Sequence, residues 1–169
     1  MHAYRTRKSG FTLVEILIVV IILGILAAIV IPQFTNASTE ARENSARSLV
    51  QTIRSQLELY KMQHGDLYPT DTGAANGTWD WDKLTGQTDG NGNAGTDYGP
   101  YLQQTPGNPL RAGASGVQSV ANDAAALAAE AGATDGFVFS QATGKIWAFA
   151  AGDNATVLDA PTTTPVDDD

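Results

Sequence analysis

The feature that most constrains this chain is its first apolar run. From Phe11 to Ile31 the only hydrogen-bonding side chains are Thr12 and Glu15, and the stretch "KSGFTLVEILIVVIILGILAAIVIPQF" closes with Pro32. At about 1.5 Å per residue, some 21 helical residues reach about 31 Å, the depth of a bilayer core. Arg5, Arg7 and Lys8 precede the run, whereas Glu40, Arg42 and Glu43 follow it. By the positive-inside tendency the amino terminus is cytoplasmic and the remainder extracytoplasmic. A secretory signal peptide fits poorly, because its apolar core is only about 7–15 residues and a small-x-small site should follow. A plain signal anchor explains the length but leaves Glu15 unexplained.

A carboxylate within lipid calls for a partner, since a charge at the bilayer centre costs about 2.5–3.5 kcal/mol on insertion scales. Cutting between Gly10 and Phe11 would supply one: the new α-amino group, with a pKa of about 7.7–8.0, is mostly cationic near neutrality. It would stand one helical turn before Glu15, within a subunit or on its neighbour. Apolar helices have little hydrophobic drive to associate in lipid, so such a pair can set stagger as well as attraction.

These residues resemble the amino-terminal segment of type IV pilins and of the pseudopilins of type II secretion systems. The resemblance implies a leader, residues 1–10, removed after Gly10 by a membrane prepilin peptidase, which also N-methylates Phe11. It implies that Glu15 directs assembly, and that the segment between Gly24 and Pro32 can lose helical structure in the filament. Pro32 removes one helical amide and crowds the carbonyl four residues back, so both residues are candidate kink positions. The implied partners are further copies of the chain in a helical homopolymer, minor pseudopilins or pilins, the peptidase and an inner-membrane assembly platform.

After Pro32, the positions Ala46, Leu49, Val50, Ile53, Leu57 and Tyr60 recur at the helical period, and Gly65, Asp66 and Pro69 give a stop after His64. The expected organisation is a membrane and filament-core helix over 11–31, an amphipathic continuation over 32–64, a head over 65–159 and a polar, disordered acidic tail over 160–169. Unbroken, the helix would span about 80 Å at about 1.5 Å per residue.

Within the head, the Gly/Asn/Asp-rich stretch before Leu110 reads as loop anchored by Trp79, Trp81, Tyr98, Tyr101 and Leu102. Ala121–Ala131 reads as a short helix capped by Asn122 and ended by Gly132. Phe137–Phe139 and Lys145–Ala150, separated by Gln141–Gly144, read as a β-hairpin, and Thr156–Leu158 as a third strand. The expected fold class is α+β: a long amino-terminal helix with a small antiparallel sheet laid on its apolar face.

"DYGPYLQQTPGNPL" and "ATGKIWAFAA" resemble, more loosely, the head of the major, G-type pseudopilins. The chain has no cysteine, which removes the disulfide that often staples the end of pilus-forming pilins and favours a pseudopilin over a pilus subunit. G-type pseudopilins hold calcium through aspartates and backbone carbonyls, but "GNPLRAGASG" stands where their Asp-Pro-Trp-Gly pattern is expected. The substitute is "TDGNGNAGTDYG", with Asp89, Asn91, Asn93 and Asp97 alternating as in a calcium loop. Its turn glycine comes one place late and Pro100 stands where the closing Glu should be. A solvated Gly/Asn loop and no cofactor is therefore the expectation.

From Asp66 onward fourteen acids face only Lys83, Arg111 and Lys145, so a nucleic-acid contact through a basic patch has no footing. The histidines are His2, in the leader, and His64, at a helix end where a cation is favourable without chemistry. No nucleophile–base pattern or phosphate loop accompanies them, so catalysis is not expected. A membrane-anchored module that binds without polymerising is the alternative from another class.

Overall fold

A computed structural model of the chain describes residues 10–73, 77–152 and 157–158. Residues 1–9 of the expected leader, Thr156 of the expected third strand and the tail lie outside these. The chain divides into two compact units, up to Glu40 and from Ala41. The α-helix α1 runs from Leu13 to Gln63 and contributes to both. In the first unit its side chains make an apolar surface on every side, since Leu13 to Ile31 contains no charged residue but Glu15.

In the second unit α1 is amphipathic by construction. Ala46, Val50, Ile53, Leu57 and Tyr60 are spaced alternately four and three residues apart and are all buried. The helix stops where a residue can turn left-handed: Gly65 has φ +60°, and the Asp66 amide reaches back to the Lys61 carbonyl at 2.9 Å. This bond satisfies one of the orphan carbonyls of the last turn.

Three strands follow, β1 (Gly116–Val120), β2 (Asp135–Ser140) and β3 (Ile146–Ala148), in the order β1-β2-β3. The hairpin is where the sequence places it: β2 pairs antiparallel with β3, Phe139 opposite Ile146 and Phe137 opposite Ala148. Gly144, at φ +69°, closes its turn with an amide bond to the Ser140 carbonyl. The expectation of an all-antiparallel sheet needs correction. β1 pairs parallel with β2, and the segment over 157–158 adds only an isolated bridge between Phe149 and Val157. Parallel neighbours require a crossover of a dozen or so residues, and residues 121–134 provide it. A short helix (Asp123–Leu127) lies in this crossover; it is shorter than Ala121–Ala131 but capped as expected, Asn122 Oδ1 accepting from the Ala125 amide at 2.8 Å. A further turn of helix, Asp82–Thr85, buries Leu84.

The sheet is covered on both faces. Phe137, Phe139, Ile146 and Ala148 pack with Ala46, Val50, Ile53 and Leu57 of α1. Val138 and Phe149 face the opposite way, with Val157 and the alanines Ala126, Ala129 and Ala131 of the crossover. Double coverage explains why β2 reads as an unbroken apolar run and not as an alternating strand.

The loops are fixed by aromatics and by two polar residues. Trp79 and Trp81 lie against Phe139 and Phe137, with ring centroids 5.0 and 5.9 Å apart, and Trp81 Nε1 donates to the Ser115 carbonyl at 2.7 Å. Tyr98 and Tyr101 pack around His64, and the Leu102 amide binds the Leu84 carbonyl at 2.9 Å. Asn108, fully buried, donates to the carbonyls of Gly136 and Phe149 and accepts from the Leu110 amide. Arg111 donates to the carbonyls of Asp135, Gly132 and Gly152. One guanidinium thus joins the crossover, the start of β2 and the loop after β3.

Candidate functional site

The functional residues singled out by the sequence lie at the beginning of α1. Gly10 and Phe11 precede the helix; Phe11 is 83% exposed and a Cβ on Gly10 would meet nothing within 4 Å. Among the described residues, nothing covers the junction. Thr12 is the N-cap. Its Oγ1 accepts from the Glu15 amide at 3.3 Å, while Glu15 Oε2 accepts from the Thr12 amide at 2.9 Å and from the Thr12 hydroxyl at 2.8 Å. This is a capping box, in which the first and fourth residues satisfy each other's orphan groups.

Glu15 therefore has partners before any neighbour arrives. Its negative charge sits in the first turn, where the helix dipole favours it. The Phe11 nitrogen is here a backbone amide, so the α-amino partner expected from the sequence is not among these contacts. The capping bonds converge on Oε2, and among the described residues Oε1 takes no hydrogen bond. That oxygen is open to a further donor. The sequence reading missed Thr12 as a partner, although the pattern Thr-Leu-Val-Glu before an apolar run is the signature of a capping box.

Beyond Glu15, every large apolar side chain from Ile16 to Ile31 keeps between 48% and 65% of its surface exposed. The helix has an 18-residue window of mean hydropathy 3.3, long and apolar enough to cross a membrane. A Cβ on Gly24 would meet nothing within 4 Å. The backbone remains α-helical through both Gly24 and Pro32. Farther along, the hydroxyls of Thr35, Thr39 and Ser45 bond the carbonyls four residues back, which satisfies them locally.

In the head, Asp89 gathers Asn91 and Asn93, but through their donors. Oδ1 accepts from both backbone amides at 2.9 Å, and the Asp89 amide bonds the Asn93 carbonyl at 2.8 Å. The hydrogen bond from the Asn93 amide, with that from Asn91, holds this carboxyl below the usual range. Asp97 donates its amide to the Thr88 carbonyl. Among the described residues no three His, Asp or Glu side chains cluster as metal ligands would.

His64 is buried. Its Nδ1 donates to the Tyr60 carbonyl and its Nε2 lies 2.8 Å from Thr88 Oγ1, the ring stacking on Tyr60 at 3.9 Å. The carbonyl can only accept, which fixes the proton on Nδ1. This histidine binds the helix end to the Thr88 loop.

Residues 5–31 match the prokaryotic N-terminal methylation motif. The chain is 43% identical over 60 residues to the type II secretion system core protein G of Pseudomonas aeruginosa, which covers 36% of this chain and 42% of that one. It is 41% identical over 64 residues to the core protein G of Dickeya chrysanthemi, covering 38% and 41%. It is also 36% identical over 70 residues to the type IV major pilin protein PilE of Neisseria gonorrhoeae, covering 41% of each. The chain thus matches about two fifths of the length of these relatives. No solved structure matches.

Proposed function

We propose, from an amino-terminal segment that is type IV pilin-like and similar to several G-type core proteins, that this chain is the precursor of a major pseudopilin. It is a structural subunit, cut by a prepilin peptidase and polymerised through α1 into a periplasmic filament that drives protein export. The observation that carries this reading is the start of α1. A carboxylate already oriented by Thr12 stands one turn from the Gly-Phe junction, at the head of a helix whose apolar surface the described residues leave uncovered.

Each part then has a task. The basic residues Arg5, Arg7 and Lys8 keep the junction cytoplasmic. Cleavage turns the Phe11 amide into a cation, and Glu15 of an adjoining subunit can accept it. Helix-on-helix packing in the filament replaces the lipid contacts left behind. Self-association, minor pseudopilins and the inner-membrane platform supply the remaining contacts. In the head, the cationic tie between loops falls to Arg111 and not to a metal.

The test is the mature protein. Its mass should correspond to a chain beginning with N-methyl Phe11, and Glu15→Ala should be cut normally yet yield no filaments. A mature chain beginning at Met1 would overturn the reading. The similarity to PilE favours a second reading, a type IV pilus subunit. Disrupting the gene would then abolish surface fibres and leave protein export intact.

A further inference from the structure

Thr12 and Glu15 share their capping box unequally. The bond that caps the helix, from the Glu15 amide to Thr12 Oγ1, is 3.3 Å long, beyond the usual N–H···O range. The two that run the other way are shorter: the Thr12 hydroxyl donates to Glu15 Oε2 at 2.8 Å and the Thr12 amide at 2.9 Å. Hydrogen bonds to an ionised acceptor are also about twice as strong as neutral ones. Thr12 therefore does less for the helix than for the carboxylate.

No other side chain of the apolar run can do the same. From Phe11 to Ile31, Thr12 is the only hydrogen-bonding side chain besides Glu15, and within lipid no water stands in for a missing donor. A free glutamate turns among several staggered rotamers, and ordering it on binding weakens whatever contact it makes. Here two donors on one oxygen hold the carboxylate before any contact forms, while Oε1 takes no hydrogen bond among the described residues.

Resting on the reading of the chain as a cleaved filament subunit paired through Glu15, we propose that Thr12 is a positioning residue for assembly. Its hydroxyl and amide hold Oε2, so that Oε1 receives the α-amino group of an adjoining copy and the pair between subunits forms without breaking the box. The hydroxyl carries the side chain's share of this effect, because it is the group of that side chain that donates to the carboxylate.

Filament yield from cells expressing the full precursor tests this, with the mass of the mature chain measured alongside. Thr12→Val keeps the shape of the side chain and removes the hydroxyl. It should be cut and N-methylated at Phe11 like the unaltered chain, while its filament yield falls about tenfold, the scale of one lost hydrogen bond to a charged group. Thr12→Ser, which restores the hydroxyl, should recover the yield to within about twofold. Thr12→Gly caps a helix nearly as well as Thr but supplies no hydroxyl, so it should fall with Thr12→Val. A full yield from Thr12→Val would overturn the proposal, and a Glu15→Ala chain without filaments in the same experiment would leave the subunit reading standing. Filaments from Glu15→Ala would overturn both. Recovery by Thr12→Gly would reduce Thr12 to a helix cap and overturn the positioning role. So would a Thr12→Val chain that stays uncut, which would assign Thr12 to the peptidase.

Discussion

The two parts of α1 share one backbone geometry and opposite fates. Ile22, in the first unit, keeps 51% of its surface exposed, whereas Ile53, in the second, is fully buried against the sheet. The difference is one of pattern. Where apolar residues fill every helical position, no single strip can be covered by the chain's own sheet, and the partner must be lipid or other helices. Where they recur only at every third or fourth place, one stripe is buried and the rest is wet. The first half is thus built for association and the second for folding.

Changing matching residues in the two halves tests this most sharply. Ile53→Ala should destabilise the head by about 2–5 kcal/mol, through lost burial and an unfilled cavity. Ile22→Ala should change the head's unfolding free energy, read from denaturant melts, by less than about 0.5 kcal/mol and act on filament yield instead. Equal effects on stability would break the comparison.

Next in size is Arg111→Met, which should remove about 3 kcal/mol: a hydrogen bond to a charged group contributes about 1.5–3 kcal/mol, and of the three only the bond to the Asp135 carbonyl is part-buried, those to Gly132 and Gly152 being exposed and worth little. A chelator should leave the melting temperature of the unaltered protein in place. A large fall with chelator would transfer the role of tie to a metal. Asn122→Ala should cost about 1 kcal/mol, the worth of an N-cap, read from thermal melts.

The smallest effect at neutral pH is expected at Tyr60, whose hydroxyl is buried with no hydrogen-bond partner among the described residues. Burial, reinforced by Tyr101, Asp80 and Asp89, pushes this hydroxyl up to about 12. The folded state therefore resists losing the proton that the unfolded chain gives up near pH 10. Stability should be unaffected by this group below pH 10 and fall as the pH rises from 10 to 12. Tyr60→Phe should be near neutral at pH 7 and should flatten that fall in an alkaline melting series.

What could be read beforehand was what neighbouring residues settle among themselves. The α1 stripe, the stop at Gly65, the cap at Asn122 and the β2–β3 hairpin each rest on contacts within a few positions. The Thr12–Glu15 box was legible by the same rule, although Glu15 drew attention by its charge and Thr12 did not. Asn108 and Arg111 were not legible. Their partners are carbonyls between 21 and 41 residues away, and a carbonyl has no identity in a sequence. The strand β1 was missed because "GVQSV" is half-buried throughout and shows no alternation.

The amino-acid sequence by itself determined the long helix, its division into an all-apolar and an amphipathic half, and the capped helix start at Thr12 and Glu15. These follow from periodicity, length and capping, which are properties of consecutive residues. Only the tertiary structure decided that β1 joins the sheet parallel, that both faces of β2 are covered, and that one arginine closes the loops. Those outcomes depend on which distant segments meet, and that is settled by packing and by buried backbone groups finding partners.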